Sequence, residues 1–411
     1  MEDQAQTSAP AKVRRSGSAS HRRIVLFSYG FRPFFLLAGL WAIVPMLTLL
    51  WSRGANNWPI DTIPLFRWHA HEMIFGFVSA AIAGFLLTAV PTWTGQPALS
   101  GLRLAALVVV WLGARIAMSP LMDLPAALAM PLGVAFFPAL ACALAVPLFR
   151  ARKIANTAFL VFLSLLFVAD LLFNARLHGI VGPLPFDSLR MALNIVLLMV
   201  VIIGGRIIPA FTQAALRRLG RPVETTAPSW LNVAAISVVA LLVAADLFAQ
   251  DTILSGLLAA LAALLLLARL AHWQGHRTVD VPLLWVLHLG YAWVVVALAL
   301  KALWLLTGSD WAVNWMHALN SGALGTMILA VMTRVALGHT GRELEVSKAI
   351  GIAYLLVSIA AAMRVWGPVA LPGHFWAMID IAAGLWTISF AIFLVVYCPV
   401  LLRPRADGKP G

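Results

Sequence analysis

Twelve apolar runs of about twenty residues follow one another from residue 31 to residue 398, and they decide what this chain can become. Each is long enough, at about 1.5 Å per helical residue, to cross a hydrocarbon core about 30 Å thick. They lie at roughly 31–51, 69–91, 102–120, 125–149, 154–177, 189–212, 230–249, 252–271, 282–306, 311–337, 349–366 and 375–398. The runs are continuously apolar rather than alternating, which argues against a membrane β-barrel. A chain that is 62% hydrophobic and only 11% charged also has no place among soluble domains. The expected fold is therefore all-α: a polytopic membrane protein of twelve transmembrane helices.

The net charge of +13 points to no nucleic-acid partner, because the basic residues fall mainly between the runs. With the N-terminus cytoplasmic, Arg103, Arg150, Arg217, Arg218, Arg221, Arg277, Arg342 and Lys348 all lie on the inner side. Outer segments then keep little beyond Arg53 and Arg67. This asymmetry places both termini in the cytoplasm. Residues 1–23 read as a disordered basic arm, 24–400 as one membrane domain and 401–411 as a cytoplasmic tail. The first run is too long for a signal-peptide core and is retained as a span. Cys142 and Cys398 sit in or at the end of distant apolar runs and read as small buried residues. The chain contains no Cys-x-x-Cys-His, the attachment motif for covalent c-type haem.

The chemistry gathers at Trp68-His69-Ala70-His71-Glu72-Met73, where the second span begins. Two imidazoles and a carboxylate next to hydrocarbon mark a functional site by default, with metal ligation the leading role. A wet interfacial helix end is the plainer alternative. At about 100° per residue, His69 and His71 point roughly 200° apart and cannot both hold one ion unless the helix unwinds. His69 shares its face with Glu72, Met73, Gly76, Ala80, Ala83 and Gly84. That small-residue stripe admits either another helix or a flat macrocycle.

The tenth span repeats the pattern: His317, Ser321 and Gly325 share one face, as an axial imidazole with space for a ring would require. A helix-packing seam is the alternative. Topology puts His69, His71, His178 and His317 near the outer surface and His288 and His339 near the inner one. His317 and His339 are 22 residues apart, about 33 Å along a helix, so they cannot share a metal. Asp170, Asn174 and His178 form an i, i+4, i+8 stripe suited to orienting a ligand, relaying protons, or making a polar interfacial cluster. Arg206 and Arg334 need an anion at their depth, such as haem propionates or a buried acid, unless they snorkel inward. His21, His272, His276 and His374 read as surface residues, and Asp246 and Asp380 have no evident role. Spans 2, 6 and 10 all run inward, end in related Pro/Thr/Arg segments and lie about 120 residues apart. Three four-helix arcs in a pseudo-threefold array would make them equivalent.

These residues resemble the NnrS family of bacterial inner-membrane proteins. The likeness rests on Phe31-Arg32-Pro33-Phe34-Phe35, Trp68 to Met73, Ala83 to Gly95, Gly205 to Thr212, His288-Leu-Gly-Tyr291 and His317 to Arg342. It implies a protein carrying haem (heme) b and copper in nitric oxide metabolism or nitrosative-stress defence. The matching His69, His71, His288, His317 and His339 would be its ligand candidates. A more distant likeness connects the chain to haem–copper oxidases and nitric oxide reductases, which also have twelve helices. Their His-x-His of the tenth helix and their sixth-helix histidine are missing here, so a binuclear centre of that kind is impossible. Copper would need His288 with His339, or the spare member of the His69/His71 pair with Met73.

The expected activity is binding or reducing nitric oxide at haem iron, with Glu72 or Asp170 relaying protons and an unknown electron donor. One haem would lie between His317 and a helix-2 histidine, with His69 favoured. A twelve-helix transporter, or a partner of a respiratory complex, is the rival reading. The membrane lipid and the small gas are the expected partners.

Overall fold

The computed structural model describes residues 24–59, 63–122, 124–151 and 154–409; the basic arm at 1–23 lies outside them. Twelve helices follow: α1 (Phe31–Gly54), α2 (Leu65–Thr94), α3 (Leu102–Ala117), α4 (Ala126–Arg150), α5 (Ile154–Leu177) and α6 (Ser188–Arg218). They continue with α7 (Ser229–Phe248), α8 (Ile253–His272), α9 (Pro282–Thr307), α10 (Asp310–His339), α11 (Lys348–Ala370) and α12 (Phe375–Leu402). Eleven of these segments are long and apolar enough to cross a membrane. The exception is α3, which stops at Ala117 after 16 residues, three short of the expected end.

Local chemistry sets the ends. Asp187 caps α6 by accepting the amides of Leu189 and Arg190, Thr252 caps α8, and Ser347 caps α11. Gly95 and Gly308 close α2 and α9 in left-handed conformation (φ 68° and 69°), which a Cβ disfavours. The regular helix of α4 is interrupted at Ala135, before Pro138, whose missing N–H and bulky ring disturb the preceding turn.

In the centre α2, α6 and α10 touch one another, and the other helices are arranged around them. The three spans that shared direction and spacing in the sequence thus make the middle layer. An apolar cavity of about 90 Å3 lies between them, walled by Val78, Phe85, Val196, Ile203, Leu324 and Met327 among others. Both α2 and α10 widen into π-helix, at Glu72–Val78 and at Ala318–Gly325. Each widened stretch begins immediately after a histidine. Such insertions often accompany functional sites.

Candidate functional site

His71 and His69, two residues apart, face different worlds. His71 is fully buried, and both its ring nitrogens meet acids: Nδ1 lies 3.0 Å from Glu72 Oε1 and Nε2 3.1 Å from Asp170 Oδ1. Its ring stacks on Phe173 at 4.6 Å. Glu72 also accepts Arg115 Nη1 at 2.6 Å and Trp41 Nε1 at 2.6 Å. Asp170 accepts Asn174 Nδ2 at 2.9 Å. With His71 protonated the cluster is neutral, two carboxylates balancing one guanidinium and one imidazolium. Burial of charge is tolerable only in such closed pairing. No lone pair of His71 remains for a metal.

His69 is half-buried and turns towards α1, where Nδ1 donates to the Pro45 carbonyl at 3.3 Å. That bond selects the tautomer with Nε2 bare, the usual state of a metal-ligating histidine. Among the described residues Nε2 has no hydrogen-bond partner. His317 approaches from α10 into electrostatic range of His69, and its buried Nδ1 has no partner either. Arg364 of α11 lies within the electrostatic reach of both rings. Its Nη1 makes a long 3.4 Å bond to Asn314, and it pairs with no carboxylate among the described residues. Two imidazoles with unpartnered nitrogens and one cation without an acid therefore share the same end of α2, α10 and α11. Their chemistry fits a haem, which His69 and His317 would ligate and Arg364 would help to neutralise. Neither Arg364 nor Arg115 stood out in the sequence.

The glycine faces are occupied otherwise than expected. The stripe on α2 that could admit a macrocycle takes Trp41 against Gly76 and Phe35 against Gly84. On α10, Gly322 seats the Trp293 ring and Gly325 seats Trp386, leaving no room for a Cβ. Gly325 thus faces an aromatic ring rather than open space. Ser321 is half-buried on the same stretch.

The remaining candidates scatter. His178 lines a crevice of about 690 Å3 beside Met118 and Pro120, and its buried Nε2 is unpartnered. Asp170 and Asn174 join through side chains, whereas among the described residues no side-chain bond draws in His178. His288 bonds Thr212 at 3.0 Å. His339 packs on Tyr29 and Phe31, with ring centres 5.8 and 5.7 Å away. Nothing brings these two together. Arg206 bonds Asn156 at 3.5 Å, and Arg334 lies over the Phe211 ring at 3.9 Å. Arg334 is 17 residues beyond His317, about 25 Å along the axis, so it cannot serve a group held at His317. Among the described residues no group of three or more His, Cys, Asp or Glu side chains is disposed to hold a metal ion. These residues do not fit a copper site.

The fold defines a polytopic helical membrane protein in which His69 of α2 and His317 of α10 lie within electrostatic range of each other. The chain belongs to the NnrS family: residues 25–405, nearly its whole length, match the family model described as NnrS protein. It is accordingly a nitric-oxide-associated membrane protein. No curated protein matches it.

Proposed function

We propose that this protein binds haem b through His69 and His317 and handles nitric oxide there, in the bacterial inner membrane with both termini cytoplasmic. The observation that carries the reading is the approach of two half-buried imidazoles, His69 and His317, each with a ring nitrogen unpartnered among the described residues, near an arginine without an acid. Bound haem would supply an iron that takes nitric oxide and exchanges one electron. The protein does the rest. His69 is anchored on Pro45 and stays in place. His317 has no anchor on Nδ1 among the described residues and would be the less firmly held of the two ligands. Arg364 neutralises a propionate at the same depth. In the Asp170–His71–Glu72 chain, close to His69, the imidazolium would first give its Nδ1 proton to Glu72 and then be reprotonated at Nε2 from the Asp170 side.

Optical spectra of purified protein test this. The parent should show the bands of six-coordinate haem, shifting on reduction and on nitric oxide addition. His317→Ala and His69→Ala should lose haem or leave it five-coordinate, whereas His71→Ala should keep it six-coordinate. A colourless parent, or six-coordinate haem in the His317 variant, overturns the proposal. Reporter fusions after Arg150, Arg221 and Arg342 should read cytoplasmic and those at Asn57 and Ser309 periplasmic. A periplasmic signal at Arg221 would overturn the orientation.

A further inference from the structure

Two buried cations have an acid among the described residues: Arg115 has Glu72, and Lys301 has Asp246. Arg269 of α8 has none. It is 1% exposed, yet its guanidinium meets only neutral acceptors: Asn232 Oδ1 at 3.0 Å, the Tyr291 hydroxyl at 3.0 Å and the Val201 carbonyl at 3.5 Å. The ion pairs among the described residues all lie elsewhere. An unbalanced buried charge is costly, so the site is incomplete as it stands. Gly205 of α6 is fitted to it, since a Cβ there would strike the guanidinium.

Arg269 lines a crevice of about 400 Å3, and a second acid-free arginine, the exposed Arg206, lines it too. Asn232 stands between them, while Phe159, Phe162, Ile202 and Ile236 make apolar walls. Asn156, which bonds Arg206, and Asn232 occupy the first turns of α5 and α7. Arg206 and Arg269 lie in the later part of α6 and the last turn of α8. The polar groups therefore share one depth, at the end of the bundle that the basic loops mark as cytoplasmic. Two cations at headgroup level with apolar walls beside them suit a ligand that is anionic at one end and hydrocarbon at the other.

We infer that this crevice binds the phosphate of an anionic phospholipid of the inner leaflet, with Arg206 and Arg269 on the phosphate and an acyl chain along Phe159, Phe162 and Ile236. A soluble anion would use the cations but leave the apolar wall bare. The site is independent of haem.

Native mass spectrometry of the full-length protein from mixed micelles of dioleoylphosphatidylglycerol and dioleoylphosphatidylcholine tests it. The parent should retain the anionic lipid selectively. Arg206→Gln, on an exposed side chain whose loss leaves the fold intact, should reduce that selectivity about fivefold, the effect of about one interfacial arginine. Arg190→Gln, a cation near the other end of α6, should leave it unchanged. Equal retention of the two lipids, unaltered selectivity in Arg206→Gln, or complete displacement of the lipid by inorganic phosphate would each overturn the inference, the last by showing a free-anion site.

Discussion

The π-widened turns of α2 and α10 begin alike, each directly after a histidine, and are completed in opposite ways. Around His71 every polar atom of the histidine and of Glu72 is spent on protein: two acids, one arginine and one indole close the cluster. At His317 the buried Nδ1 has no partner among the described residues. The lesson is that the same backbone device can build a locked electrostatic joint or an open ligand position, and that neighbouring carboxylates decide which.

The largest expected effect breaks the locked side. Glu72→Ala leaves Arg115 and His71 buried without their shared acid, and removing one member of a buried pair costs about 3–5 kcal/mol. The thermal midpoint of the purified variant should fall steeply, whereas His317→Ala should lower it several-fold less. Equal losses would erase the contrast between the two turns.

Next in size is Gly76→Ala. Its Cβ collides with the Trp41 indole that donates to Glu72, and overpacking of this kind costs about 1–3 kcal/mol. Trp41→Phe removes that indole donor without the crowding and should cost less. A Gly76→Ala protein as stable as the parent would show that Trp41 is not seated there.

The smallest effect belongs to the surface pair Arg190–Asp251. The Arg190 guanidinium holds the Asp251 carboxyl below its ordinary value of 3.8. A carboxylate depressed in the folded state adds stability above its unfolded pKa and loses it as the pH falls through the folded one. The stability difference between the parent and Asp251→Asn should therefore be full at pH 7 and close below the usual carboxylate range. A difference that does not change with pH would detach the pair from stability. Because Asp251 is substantially exposed, this term should be minor beside that of the buried cluster.

Apolar length and lopsided basic loops made the spans and the central α2–α6–α10 layer legible in the sequence. The opposed facing of His69 and His71 was legible too, because both precede the π segment and obey the ordinary 100° step. Beyond Glu72 the i+5 bonding shifts the helical phase without leaving a mark in hydropathy. The glycine stripes accordingly looked like space and are seats for aromatic rings, mostly indoles, in a chain with 16 tryptophans. Partners could not be read at all. Asp246 and Asp380, without a role in the sequence, pair with Lys301 and Arg53, and Glu72 meets Arg115 across 43 positions. Arg364 lies in an unremarkable apolar run, and only the packing of α11 beside α10 brings it to the histidines.

The shortness of α3 has a consequence for the surroundings of the protein. Sixteen residues rise about 24 Å, while the 31 of α6 rise about 46 Å. A bilayer about 30 Å thick matches neither: beside α3 it thins or flanking side chains reach to its interface, and α6 tilts or projects beyond it. The annulus of lipid is then uneven around the circumference. The protein carries its own lateral gradient of membrane thickness, and neighbours with short spans find their best-matched lipid along the α3 flank.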